Sequence, residues 1–364
     1  MKICVVLGTR PEIIKMSPVI RELEKRRIPN FVIHTGQHYS YNMDKIFFED
    51  LELPPPNYQL NVGEKYSTPG AQTGEMIKLI EEILLDERPY VVLVEGDTNS
   101  VLAGGIAGSK SGVKVGHVEA GLRSFDRNMP EEINRILVDH ISDYLFAPTS
   151  VAEQNLLNEG LEKSKIFVTG NTIVDAVYQN LMLAEKKSKI LSDLSLKARE
   201  YLLVTLHRQE NVDNPERLKN VIEAISQIEY PCIFPIHPRT KKRMKEFGYE
   251  INNPNVKVIE PLGYLAFLKL MASARIVLTD SGGIQEETNI LHVPCLTLRD
   301  NTERPETVEA GSNIVVGVKP ENVMNHIKKI LNDKDLESKM RNAPVVFGDG
   351  KTAERIIDIV KLNS

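Results

Sequence analysis

Asp97 and Glu119 each lie just past a short apolar run, Val91 to Glu95 and Val113 to Val118 respectively. Acids at the ends of neighbouring parallel strands point into one crevice, where carboxyl groups can remove and return protons. The stretch Pro130-Glu131-Glu132-Ile133-Asn134-Arg135 reads as the opening of a helix and adds the acid Glu131 and the cation Arg135. Glu132 in the same turn reads as compensation of the helix dipole. His207 follows the run Tyr201 to Thr205. An imidazole there has the chemistry to hydrogen-bond a phosphate or protonate a leaving group, although a lone histidine serves structure as readily.

A second set of residues suits an anion. In Ile276-Val277-Leu278-Thr279-Asp280-Ser281-Gly282-Gly283 a strand runs into N-cap residue types and a glycine pair. Gly282 and Gly283 have no Cβ to keep a diphosphate from the amides that open the next helix. Glu286 and Glu287, one turn further, are badly placed for phosphate, but a carboxylate there can accept hydrogen bonds from a ribose. An ordinary capped helix with acids set against its dipole fits the same segment. Cations come from Gly8-Thr9-Arg10-Pro11-Glu12, with Arg10 and, one turn on, Lys15, and from the polar loop Arg299 to Glu306, where Arg304 is the best contact. Neither GxxxxGK[ST] nor GxGxxG occurs, which weighs against an NTPase and a simple NAD enzyme. Asp333-Lys334-Asp335 lies in a charged helical stretch and reads as a solvated face rather than a metal site.

These residues need strands and helices in alternation to hold them. Short β-branched runs do alternate with helical patterns along the chain, which predicts an α/β protein with parallel sheets. The first series is Ile3 to Leu7, Phe31 to Thr35, Val91 to Glu95, Val113 to Val118, Tyr144 to Ala147 and Ile166 to Thr169. The second is Tyr201 to Thr205, Cys232 to Ile236, Val256 to Ile259, Ile276 to Thr279 and Cys295 to Leu298. Two Rossmann-like domains follow, residues 1–170 and 171–350, with the ligand cleft between the carboxyl ends of their strands. The last helix, within 351–364, is expected to pack back on the first domain.

With 364 residues the chain exceeds a single core, in line with two domains. A net charge of −5 and a pI near 6.0 argue against nucleic acid as partner, so a polyphosphate must meet a local cluster of cations. Cys4, Cys232 and Cys295 fall in predicted strands without metal or CxxC spacing and read as buried thiols. No apolar run approaches a membrane span, and the N-terminal run is a strand rather than a signal peptide, so a cytoplasmic protein is expected.

Taken in order, Gly-Thr-Arg-Pro-Glu with Lys15, Glu-Gly-Asp-Thr, His-Val-Glu-Ala-Gly-Leu-Arg, Pro-Glu-Glu-Ile-Asn-Arg, Thr-Asp-Ser-Gly-Gly-Ile-Gln-Glu-Glu and Arg-Asp-Asn-Thr-Glu-Arg-Pro-Glu resemble the non-hydrolysing UDP-N-acetylglucosamine 2-epimerases. The resemblance runs from residue 1 to about 350. It implies a GT-B architecture, a homodimer, and interconversion of UDP-GlcNAc and UDP-ManNAc with UDP as the leaving group and with no metal or cofactor. By motif, Arg10, Ser281, Gly282, Gly283 and Arg304 would hold the diphosphate, Glu287 the ribose, and Pro261 to Gly263, including Leu262, with Phe267 the uracil. Lys15, Asp97, Glu119, Glu131, Arg135 and His207 would surround the sugar and its bond to phosphate. Gln37, His38 and His237 resemble part of a second UDP-GlcNAc site of bacterial relatives, but Lys65 to Gly74 departs from their pattern.

The implied chemistry accounts for so many charges. The proton at C2 is not next to a carbonyl, so expulsion of UDP from C1 must precede or accompany its loss. A 2-acetamidoglucal results, and UDP adds back after protonation of the other face. A hydrolysing epimerase that releases ManNAc, a retaining GT-B glycosyltransferase and a non-catalytic nucleotide-sugar sensor are the competing readings.

Overall fold

The computed structural model describes residues 1–37 and 41–364. These divide into two compact units, Met1–Gln179 with Phe347–Ser364, and Asn180–Val346. The division falls within the helix Thr172–Lys187.

The first unit is built on a wholly parallel sheet whose described strands run β3-β2-β1-β4-β5-β6-β7. They are β1 (Ile3–Leu7), β2 (Asn30–His34), β3 (Tyr58–Gln59), β4 (Val91–Glu95), β5 (Lys114–Val118), β6 (Tyr144–Ala147) and β7 (Ile166–Val168). Every residue of β1 and β4 is buried, as expected of central strands covered by helices on both faces. Strand order reverses between β1 and β4, so the segments leaving those two strands diverge and open a crevice at their carboxyl ends. The short β3 was not legible in the sequence.

The helix Arg10–Lys25 leaves β1 with Pro11 in its first turn, where a missing N–H costs nothing. The last helix, Thr352–Leu362, packs on it, and Arg26 forms an ion pair with Asp358. Asp175 fixes where that last helix begins, accepting the amides of Thr352 (3.2 Å) and Ala353 (3.0 Å).

The second unit has its own parallel sheet, in the order β10-β9-β8-β11-β12-β13 among the described residues. Its strands are β8 (Leu202–Thr205), β9 (Cys232–Pro235), β10 (Val256–Ile259), β11 (Ile276–Thr279), β12 (Cys295–Thr297) and β13 (Asn313–Val315). Strand order reverses here between β8 and β11, the strands that lead to His207 and to Ser281-Gly282-Gly283. The edge strand β13 went unread because Asn-Ile-Val is too short to stand out. Cys4, Cys232 and Cys295 are buried free thiols in β1, β9 and β12. Asp333 caps the helix Lys334–Arg341 through the amides of Asp335 and Leu336, which gives the Asp-Lys-Asp stretch a structural duty. No helix among the described residues is long and apolar enough to cross a membrane.

Candidate active site

In the first unit, Glu95 ends β4 with only 2% of its surface exposed, and Glu119 leaves β5 with 6% exposed. Lys15, one turn into the helix Arg10–Lys25, reaches both. Its Nζ lies 3.2 Å from Glu95 Oε1 and forms a closer ion pair with Glu119 Oε2. Glu119 sits in the left-handed backbone region at φ 72°, a costly place for a residue with a Cβ. The amides of Glu119 and Ala120 both donate to the carbonyl of Phe146 at 3.1 Å, which holds that bend.

Burial, opposed by Lys15 and reinforced by Glu119 and Glu12, holds the Glu95 carboxyl well above the usual range. Glu12 is pushed up to about 7 by burial, although it accepts the amide of Gly8 (2.6 Å) and the hydroxyl of Thr9 (2.9 Å). Sequence reading passed over both residues. Their signal was an acid ending an otherwise apolar strand and an acid in the first turn behind Gly8-Thr9.

Asp97 is bound by Arg135, whose Nε and Nη2 donate to one carboxylate oxygen at 3.0 and 2.5 Å. Arg135 Nη1 also meets Glu132 at 3.0 Å. Glu132 is not merely a dipole partner: it is buried and accepts the amides of Ser124 and Phe125, both at 2.9 Å. Those two bonds and Arg135, set against its burial, hold its carboxyl below the usual range. Glu131 is exposed in the same first turn.

Below this layer His117 Nδ1 faces Asp139 at 2.6 Å and Nε2 faces the carbonyl of Gly96 at 2.8 Å. Asp139 also meets Arg123 at 2.7 Å and accepts the amide of Gly121 at 3.2 Å. This network positions the segments that carry Asp97 and Glu119. Arg10 is the first residue of its helix, with its guanidinium 5.0 Å from the Phe47 ring centre. The Gln37 side-chain oxygen caps the helix Asn99–Lys110 through Ser100, accepting its N–H (2.9 Å) and hydroxyl (2.8 Å). His38 lies outside the described residues.

In the second unit Ser281 occupies the N-cap of the helix Gly282–Ile290, but its side chain makes no capping bond. Asp280 does not cap that helix either, contrary to its residue type. It is fully buried and turned toward β8, where its carboxylate accepts the amides of His207 and Arg208. A Cβ at Gly283 would meet nothing within 4 Å, and one at Gly282 only Glu303 and Arg208 side-chain atoms at 3.7 and 3.8 Å. The first turn of the helix is therefore open around the positions where a side chain at Gly282 or Gly283 would begin.

Arg304 forms an ion pair with the buried Glu286 and donates to the carbonyl of Glu303 at 2.9 Å. Glu287 is buried and accepts from the Tyr264 hydroxyl at 3.3 Å. Leu262 and Phe267 are half-buried, Leu262 just before the helix Tyr264–Ala272 and Phe267 within it. The His207 and His237 rings lie 5.6 Å apart, and His237 accepts the amide of Arg239 at the start of its own helix. Burial, with help from Arg208 and against the pull of Asp280, lowers the basicity of His207. Its imidazole is thus harder to protonate than a free one.

Each unit is thus a wound parallel sheet, the first with a carboxyl and ammonium cluster at its switch point and the second with a glycine-lined helix entrance at its own. The pattern of the family described as UDP-N-acetylglucosamine 2-epimerase matches residues 21–361. The UDP-N-acetylglucosamine 2-epimerase of Methanocaldococcus jannaschii is 58% identical over 369 residues, covering 99% of each chain. A crystal structure of the enzyme from that organism, in complex with UDP-GlcNAc and UDP, is 57% identical and superposes with a TM-score of 0.86 over the whole of both chains. The Neisseria meningitidis enzyme bound to UDP-GlcNAc is 35% identical, with a TM-score of 0.90 over the whole of both chains. This chain belongs to the UDP-N-acetylglucosamine 2-epimerase family.

Proposed function

We propose that the chain interconverts UDP-GlcNAc and UDP-ManNAc by expelling UDP and adding it back, as a cytoplasmic homodimer. In the forward direction the C2–H bond breaks, its electron pair forms the C1–C2 double bond, and the C1–O bond leaves with UDP. The product of that half is 2-acetamidoglucal. The reverse half puts a proton on the other face of C2 as UDP returns to C1. Every bond and charge balances without an oxidant, a reductant or a metal.

Asp97, Glu119 and Glu131 are the candidates for moving the proton, with Lys15 and Arg135 setting the field around them. Arg10, Arg304, Ser281 and the Gly282-Gly283 helix entrance hold the diphosphate, His207 faces the leaving oxygen, Glu287 holds the ribose, and Leu262 and Phe267 the uracil. Each acid or base is worth roughly 10²–10⁴ in rate, and amides aimed at the departing anion contribute a comparable share. The observation that carries this reading is the clustering of buried acids on one ammonium at a strand-order switch, which a binding protein has no use for.

Supplying UDP-GlcNAc alone and resolving the products tests the reading. The expected result is a mixture of the two UDP-sugars with no free sugar. Asp97→Asn or Glu119→Gln should lower turnover at least about 100-fold. Accumulation of free ManNAc with UDP would replace the proposal by the hydrolysing reaction.

A further inference from the structure

We infer that Glu95 and Glu119 form a carboxyl pair that shares one proton beneath Lys15, with Glu95 the neutral member, so that Glu95 is a positioning residue governing the charge of Glu119. The catalytic consequence rests on the epimerase reading above, whereas the pair itself does not.

Geometry makes full ionisation of both acids costly. Both are more than nine-tenths buried, and both approach the one ammonium of Lys15. Glu12 on the same helix as Lys15 adds a further buried acid, and Asp97 follows Glu95 by two residues. Arg135 also faces this cluster, but its guanidinium is bonded to Asp97 and Glu132. His117, next but one to Glu119, turns its ring nitrogens toward Gly96 and Asp139 instead. Two carboxylates sharing a low-dielectric site with one cation keep a proton between them.

The location of that proton follows from position. Lys15 sits closer to Glu119, which favours charge there. Glu95 is the more deeply buried, and its Oε1 has no hydrogen-bond donor although Lys15 is at ion-pair distance. Burial first, and then the neighbouring Glu119, raise its affinity for a proton. A protonated Glu95 donates its O–H to the Glu119 carboxylate, fixing the side chain that the bent backbone already aims. Glu119 is thereby kept ionised and ready to accept a proton from substrate.

Infrared difference spectroscopy of the wild type against Glu95→Gln, at a pH above the value near 7 at which Glu12 titrates, reads the proton directly. The expected result is the carbonyl band of a neutral carboxylic acid in the wild type that is missing from the variant. In Glu119→Gln the same band should fade at lower pH than in the wild type, because the repelling charge is gone. Absence of the band in the wild type, or an unchanged pH dependence in Glu119→Gln, overturns the pair.

Kinetics tests the consequence separately. Glu95→Ala, which removes the donor, should move the acidic limb of the kcat profile to higher pH, and Glu95→Gln, which restores an N–H donor, should bring it back. An infrared band that behaves as described, with a kcat profile indifferent to both variants, places the error in the role given to Glu119 and not in the pair.

Discussion

The Asp280 carboxylate accepts the backbone N–H of His207 with both oxygens, each at 3.1 Å. One of those oxygens also accepts the amide of Arg208 at 2.9 Å. The acid at the end of β11 therefore shapes the segment that leaves β8, the two strands between which the sheet order reverses. Removing it leaves buried donors unpaired and frees the segment that carries His207, the residue proposed to face the leaving oxygen. Asp280→Ala should lose about 3 kcal/mol or more of stability in denaturant unfolding, together with turnover. A variant that unfolds like the wild type would show that the segment holds its shape without this acid.

Gly283 is open on the side where a Cβ would go. The Cβ that Gly283→Val adds meets nothing within 4 Å, so the melting temperature should stay within a few degrees of wild type. The methyl groups would stand where the diphosphate approaches the helix amides. UDP should bind at least about tenfold more weakly by calorimetry, which is ~1.4 kcal/mol. Undiminished UDP affinity would move the anion site elsewhere.

Arg304 pairs with the buried Glu286 and is also proposed to meet the diphosphate. Arg304→Met alone strands a buried carboxylate and should cost about 3–5 kcal/mol. Adding Glu286→Gln should recover most of that stability while UDP affinity remains low. Recovery of both together would reduce Arg304 to a structural role.

Glu12 gives a pH signature of stability. Its folded pKa of about 7 stands above the ordinary 4.5, so the native state holds the proton more tightly than the unfolded chain. Stability contributed by this group is therefore greatest at the acidic side of that window and falls as pH rises through it, by up to about 3 kcal/mol. Glu12→Gln should flatten this part of the profile relative to the wild type in urea titrations across the window. Parallel profiles would mean that Glu12 titrates near its usual value.

Much of the fold was legible because apolar, β-branched runs such as Ile3–Leu7 and Val91–Glu95 are buried on both faces and so appear as unbroken strings. The strands that escaped, Tyr58–Gln59 and Asn313–Val315, lie at sheet edges, where one neighbour suffices and the pattern is too short to read. Residue type and place after a strand were enough to make Asp97, Glu119, His207 and the glycine pair candidates. They were not enough for Glu95 or the His117–Asp139–Arg123 network, whose partners are distant in sequence, nor for Glu12, whose partners Gly8 and Thr9 are close by but whose burial comes from the fold. Asp280 shows the same limit from the other side. Its type suggested a cap for the following helix, whereas the amides it satisfies lie in the segment after β8.

Elimination and re-addition make one demand that no simple transfer or hydrolysis makes. The C2 proton leaves to a side chain in exchange with solvent, and a solvent-derived proton returns. Converting UDP-GlcNAc in D₂O and recording the proton spectrum of both nucleotide sugars measures this directly. UDP-ManNAc should carry deuterium at C2, with deuterium entering the remaining UDP-GlcNAc as equilibrium is approached. Product that keeps its original C2 proton would contradict elimination and re-addition.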